Sequence, residues 1–95
     1  MDYKAFLDSF SEAAPPDDLN ALLQSLWYDA QGDWDTSHSL AQGVQTNTGS
    51  LVHAYLHRKE GDITTARYWY SMAGENLFEG SFENEWETLV KQLLD

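Results

Sequence analysis

The chain of 95 residues has no cysteine. A disulfide framework, a thiolate metal site and thiol chemistry are therefore excluded, and a reducing cytoplasm is the expected compartment. Basic side chains are also scarce: 5 Lys and Arg stand against 16 Asp and Glu, leaving a formal charge of −11. Contact with nucleic-acid phosphates or with an anionic membrane needs clustered Lys and Arg, so neither partner is expected. The only two prolines are adjacent, Pro15-Pro16, and interrupt the chain once. No apolar run approaches the ~20 residues of a membrane span. Met1-Asp2-Tyr3-Lys4 has neither the basic nor the apolar region of a signal peptide.

What is present in quantity is apolar and aromatic. Hydrophobic residues make up 42% and aromatics 14%, with 4 Trp, 5 Tyr and 4 Phe, too many for a disordered acidic tail. One domain over residues 1–95 is expected. Apolar residues recur at three and four rather than at two, which predicts an all-α fold of five to six antiparallel helices. Residues 1–16 read as an N-terminal capping helix, with Asp2 as N-cap and Tyr3, Phe6, Leu7 and Phe10 on one face. Residues 17–44 read as a first hairpin, its leading helix following Asp17-Asp18 and carrying Leu19, Leu22, Leu23, Leu26 and Ala30. Residues 48–74 read as a second hairpin, with Thr48 as a cap and the helix running from about Gly49 to Glu60. Residues 81–95 read as a C-terminal capping helix behind Ser81, with Phe82, Trp86, Leu89, Val90 and Leu93 inward and Glu83, Glu85 and Glu87 outward.

Each hairpin turns at a Gly-Asp pair, Gly32-Asp33 and Gly61-Asp62, at an offset of 29 residues. The offset also pairs Leu22 and Leu23 with Leu51 and Val52, and Leu40 with Trp69, so the chain contains an internal repeat. The runs Gly32-Asp33-Trp34-x-x-Ser37-x-x-Leu40 and Gly61-Asp62-Ile63-x-x-Ala66-x-x-Trp69-x-x-x-Ala73 resemble the corner and second helix of tetratricopeptide-like repeats. The resemblance covers about residues 19–73, and the offset is shorter than that family's usual 34. It implies helical hairpins that present a groove to a partner. The string His53-Ala54-Tyr55-Leu56-His57-Arg58-Lys59-Glu60-Gly61-Asp62 is also similar to one found in a group of small helical proteins without an assigned activity, which implies a fold and no function.

All three histidines, His38, His53 and His57, fall within the central part of the chain. His53 and His57 are at i and i+4, one above the other on a helix face, and Glu60 extends that face. With Leu51 at zero and about 100° per residue, Glu60, His53 and His57 fall near 180°, 200° and 240°, beside the apolar arc rather than in it. If the two helices around the residue-45 loop pack antiparallel, residues whose numbers sum to about 91 are level, which places His38 beside His53. Three uses follow for such imidazoles: structural hydrogen bonding to neighbours, a ligand or partner groove formed by His38, His53, His57, Arg58, Glu60 and Tyr68, or a divalent metal site such as Zn²⁺ on His38, His53, His57 and Glu60. Ala54 stands where the His-Glu-x-x-His metalloprotease pattern has its Glu, so no general base is supplied by that pattern.

Residues 1–35 hold eight acids and one Lys, residues 36–70 two acids and three bases, and residues 71–95 six acids and one Lys, giving −7, +1 and −5. The acidity belongs to the two ends. Tyr68 and Met72 lie opposite the Ala66 and Ala73 face, to be covered by the last helix or left as contact surface. Adjacent helical residues diverge, so Ser37-His38-Ser39 is no nucleophile pair, and no catalytic set can be named. The expected role is a small non-enzymatic interaction or ligand-binding module, monomeric or homodimeric, for a protein or small-ligand partner. Two alternatives are a metal-binding protein or metal-dependent hydrolase, and an acidic decoy for a basic partner.

Overall fold

Every α-helix among the described residues begins at a side-chain oxygen that accepts a backbone N–H three residues on. In a computed structural model describing residues 1–94, Asp2 accepts from Ala5, Asn20 from Leu23, Asp33 from Thr36, Thr46 from Gly49, Asp62 from Thr65 and Ser81 from Asn84, all at 2.8–3.1 Å. Each satisfies an N–H that the helix itself leaves unpaired. The helices so started are α1 (Tyr3–Asp8), α2 (Ala21–Ala30), α3 (Trp34–Gln42), α4 (Asn47–Lys59), α5 (Ile63–Met72) and α6 (Phe82–Leu94), with a 3-10 turn at Ser9–Ser11. The described residues are 68% helical and contain no strand.

Two starts differ from expectation. Asn20, not Asp17 or Asp18, caps α2, so Leu19 lies outside the helix while remaining buried. Its carbonyl takes the Gln24 side-chain amide at 2.8 Å, which fixes the entry of the chain. Thr46, not Thr48, caps α4, because Gly49 brings its N–H to the Thr46 hydroxyl, and the helix begins at Asn47.

The two corners are the same structure made twice. Gly32 and Gly61 have φ of 83° and 92°, a left-handed conformation that costs glycine little. Gly32 N–H donates to Asp29 O and Asp33 N–H to Tyr28 O; Gly61 donates to Arg58 O and Asp62 to His57 O. This pairing of the last carbonyls is the Schellman arrangement, and it folds α3 back on α2 and α5 back on α4. Inside the hairpins the repeat diverges. Ser25 and Ser37 are both fully buried, and the Ser25 hydroxyl bonds the Ser37 carbonyl at 2.7 Å and hydroxyl at 3.0 Å. At the same offset α4 and α5 have Ala54 and Ala66, also fully buried. Small side chains at these four positions let the paired helices approach.

Helix α6 crosses α4, α2 and α1 rather than lying along the outer face of α5. Leu89 and Val90 enter the core with Leu22, Leu26, Val52 and Leu56, and the Trp86 indole N–H donates to Leu26 O at 3.0 Å. Tyr3 and Phe6 of α1 pack edgewise or tilted on Trp86, joining the two acidic ends of the chain. Tyr68 and Met72 are consequently uncovered, at 58% and 55% exposure. Ile63 is uncovered too: among the described residues no helix packs on it as α4 packs on its counterpart Trp34.

Glu85 is a correction to the outward acidic face expected for α6. It is buried, its Oε1 accepts from Arg58 Nε at 2.9 Å and its Oε2 from the Tyr70 hydroxyl at 2.5 Å. Burial raises its pKa against the opposing hydrogen bonds from Tyr70 and Arg58. Asp29 is buried as well, holding the Tyr55 hydroxyl at 2.5 Å and Lys59 Nζ at 3.0 Å.

Two stability measurements check this packing. Glu85→Ala removes the carboxylate that faces the half-buried Arg58 guanidinium and leaves the buried Tyr70 hydroxyl unpaired, and urea unfolding should show a loss of roughly 3–5 kcal/mol. Glu87→Ala, which breaks exposed interactions with Lys91 and Tyr3, should shift the midpoint far less. Ser25→Ala alone leaves the Ser37 hydroxyl without its partner and should cost about 1–3 kcal/mol. Adding Ser37→Ala should recover most of that loss, since the second hairpin already carries the alanine pair.

Candidate metal centre

Two helices deliver the central cluster. His38 is one turn into α3 from Trp34, and His53 and His57 stand one turn apart on α4, which runs antiparallel beside α3. The register inferred from the loop is the one formed: His53 Nε2 and His38 Nε2 are hydrogen-bonded at 2.8 Å, one nitrogen donating and the other accepting. The His57 ring centroid lies 5.1 Å from that of His38 and 5.0 Å from that of His53. One ring nitrogen from each of the three histidines falls within 4.8 Å of the others, and the group could hold a metal ion.

The rings are fixed from both sides. Trp34 stacks on His38 at 4.8 Å and 12°, and its indole N–H is anchored on Leu56 O at 3.0 Å. Trp69 of α5 stacks on His53 at 4.0 Å and 14°, while His57 covers the other face of His53 at 20°. Glu60 Oε1 accepts from His57 Nδ1 at 2.6 Å, leaving Nε2 as the free donor atom of that ring. A carboxylate on the outer nitrogen is the usual device for orienting an imidazole toward a metal and raising its basicity.

Protonation favours the same use. His53 is buried, and burial first, then the neighbouring His38 and His57, push its pKa down from 6.5 to about 4. His38 is also lowered, mainly by burial and by His57, against smaller opposing effects from Glu60 and Asp35. A neutral imidazole keeps the lone pair that coordinates.

Of the expected site residues, His38, His53, His57 and Glu60 come together. Arg58 does not. It points to the other side of α4, where it bonds Glu85, the carbonyls of Gly80 and Ser81, and stacks over the Phe82 ring at 4.5 Å. Its place on the helix, about 100° from His57, carries it away from the imidazoles and into the α4–α6 contact. Tyr68 stands at the rim, exposed, with its ring edge-on to Trp69 at 5.2 Å. Trp34 and Trp69 are the site residues that sequence reasoning missed. Trp34 was marked by its i, i+4 spacing to His38; Trp69 carried no local mark, because its stacking depends on how α5 returns along α4.

A second group, His57, Glu60 and Asp62, is also close enough to hold an ion, but Asp62 is engaged in capping α5. No helix of the described residues is long and apolar enough to cross a membrane. No protein-family model, curated protein or solved structure matches the chain.

The depressed His53 pKa gives the metal-free protein a signed pH dependence. The unfolded chain takes up the proton near 6.5 and the folded chain only near about 4. Stability should therefore be full above about pH 6.5 and fall as pH drops through that window toward about 4. Thermal unfolding across that range checks it, and His53→Gln should flatten that portion of the curve.

Proposed function

We propose that the chain is a small non-enzymatic binding module whose centre takes one divalent transition metal ion, with Zn²⁺ as the reference ion. The observation that carries this reading is the convergence of three imidazoles from two helices, with ring nitrogens within 4.8 Å of one another. His38, His53 and His57 are its ligands. Glu60 acts through His57 as a positioning carboxylate rather than as a fourth ligand, and Trp34 and Trp69 hold the rings. In the metal-free state a proton links His38 and His53 at 2.8 Å. Tetrahedral bonds of about 2.0–2.1 Å need nitrogens roughly 3.3 Å apart, so the ion replaces that proton with a small opening of the two rings.

Three imidazoles favour zinc, copper, nickel and cobalt over calcium or magnesium, which prefer oxygen donors. The module is read as non-enzymatic because, among the described residues, no side chain stands free as a general base beside the centre: Glu60 is bound to His57 and Asp62 to the α5 start.

Isothermal titration with Zn²⁺ should give one site per chain, and Zn²⁺ should raise the melting temperature through linkage. Co²⁺ should give a visible spectrum of a low-coordinate nitrogen site. His57→Ala and His38→Ala should each weaken binding at least about 100-fold, and Glu60→Gln by about 10- to 100-fold. Absence of a one-to-one site and of any thermal shift with zinc, nickel and cobalt would overturn the reading.

A further inference from the structure

His53 borders two spaces. Its Nε2 faces His38, while the ring also lines a groove of about 530 Å³ that opens between the end of α3, the loop before α4, the first turns of α4 and the outer part of α5. His38 and His57 do not line this groove. Among the described residues no buried side-chain nitrogen or oxygen lacks a hydrogen-bond partner, and His53 Nδ1 has none. That nitrogen therefore reaches accessible space, and the groove is the space the ring borders.

The lining is chemically selective. In a chain of charge −11, no side chain around the groove is charged. Gln42, Gln45 and Asn47 present exposed side-chain amides, and Trp69 and Met72 form an apolar side. An anion finds no Lys or Arg here and meets the repulsion of the whole chain. A cation finds no carboxylate. A purely apolar ligand would take the amides out of water without replacing their hydrogen bonds. What fits is an uncharged molecule dense in hydroxyls with one apolar face.

The wall is also pre-formed. Thr46 Oγ1 holds Gly49 N–H at 3.0 Å, and a Cβ at Gly49 would run into the Val44 carbonyl oxygen. The loop lies on α4 closely enough that only glycine fits beneath it. Pre-organisation of this kind lowers the ordering cost of binding.

We propose that this groove binds a neutral saccharide. The side-chain amides each pair a donor and an acceptor with neighbouring sugar hydroxyls, His53 Nδ1 takes part in one further hydrogen bond, and the C–H face of a pyranose lies toward Trp69 and Met72. The site shares His53 and its stacking partner Trp69 with the metal centre and is argued from the groove lining alone.

The test is a titration of the full ¹⁵N-labelled chain with maltotriose, cellotriose, xylotriose and tri-N-acetylchitotriose, followed by NMR in chelator and again with Zn²⁺. At least one should give saturable shifts at the Trp69 indole and at residues 42–50, and trigalacturonic acid should give none. Gln45→Leu, at an exposed position, should weaken binding at least five-fold, and Gly49→Ala, which displaces the loop, at least ten-fold. His38→Ala should abolish zinc binding while leaving saccharide affinity within two-fold. Zinc binding without any saccharide response overturns this proposal and spares the metal reading; saccharide binding without zinc does the reverse. Shifts confined to other surfaces, an unchanged Gln45→Leu, or equal binding of the acidic trisaccharide also overturn it.

Discussion

Helix α4 is enclosed by neighbours along most of its length, and the rest of the structure depends on finding partners for what it carries. Val52, Ala54 and Leu56 bury without polar demand, but His53, Tyr55, Arg58 and Lys59 lie among them on the same 13-residue helix. A buried polar group left unpaired costs more than a made hydrogen bond contributes. Three neighbouring helices answer these demands: α3 supplies His38 to His53, α2 supplies Asp29 to Tyr55 and Lys59, and α6 supplies Glu85 to Arg58. The placement of α6 follows from this. Its Glu85 reaches Arg58 and Tyr70 only if the helix crosses α4, and its apolar stripe then closes over α2 as well.

The same constraint separates the two faces of α4. On the α6 side the pairs are charged and fully engaged, so Arg58 is committed to architecture. On the α3 side the partners are three imidazole rings, two of them joined by one hydrogen bond, an arrangement that could hold a metal ion. The proposed binding chemistry sits where the polar demand of the helix is met by imidazoles rather than by an ion pair.

Much of this was legible in the sequence because it is local. The Gly32-Asp33 and Gly61-Asp62 corners, the caps at Asp2 and Ser81, and the His53/His57 stacking follow from spacings of three and four, and the short loop set the level of His38. The meeting of Arg58 with Glu85 is not local, being 27 residues apart. Glu83 and Glu85 flank the apolar arc of α6 on either side, and nothing nearby says which one meets a cation. For Asp29 there was a signal. It stands seven residues after Leu22 and three after Leu26, on the buried stripe of α2, where a carboxylate implies a partner. The exposure of Tyr68 was equally out of reach, since it follows from α6 choosing α2 over α5.

Two of the four tryptophans, Trp34 and Trp69, lie flat against histidine rings on the two sides of the cluster, while Trp27 and Trp86 sit with the phenyl rings of Phe10 and Phe6. An imidazolium cation or an open-shell ion draws excitation from an indole in contact with it, and a phenyl ring does not. The molecule thus carries its own optical gauge of the cluster's state: emission from one indole pair follows the histidines, and the other pair, held in the core by Ser9 and Leu26, supplies an internal reference within the same chain.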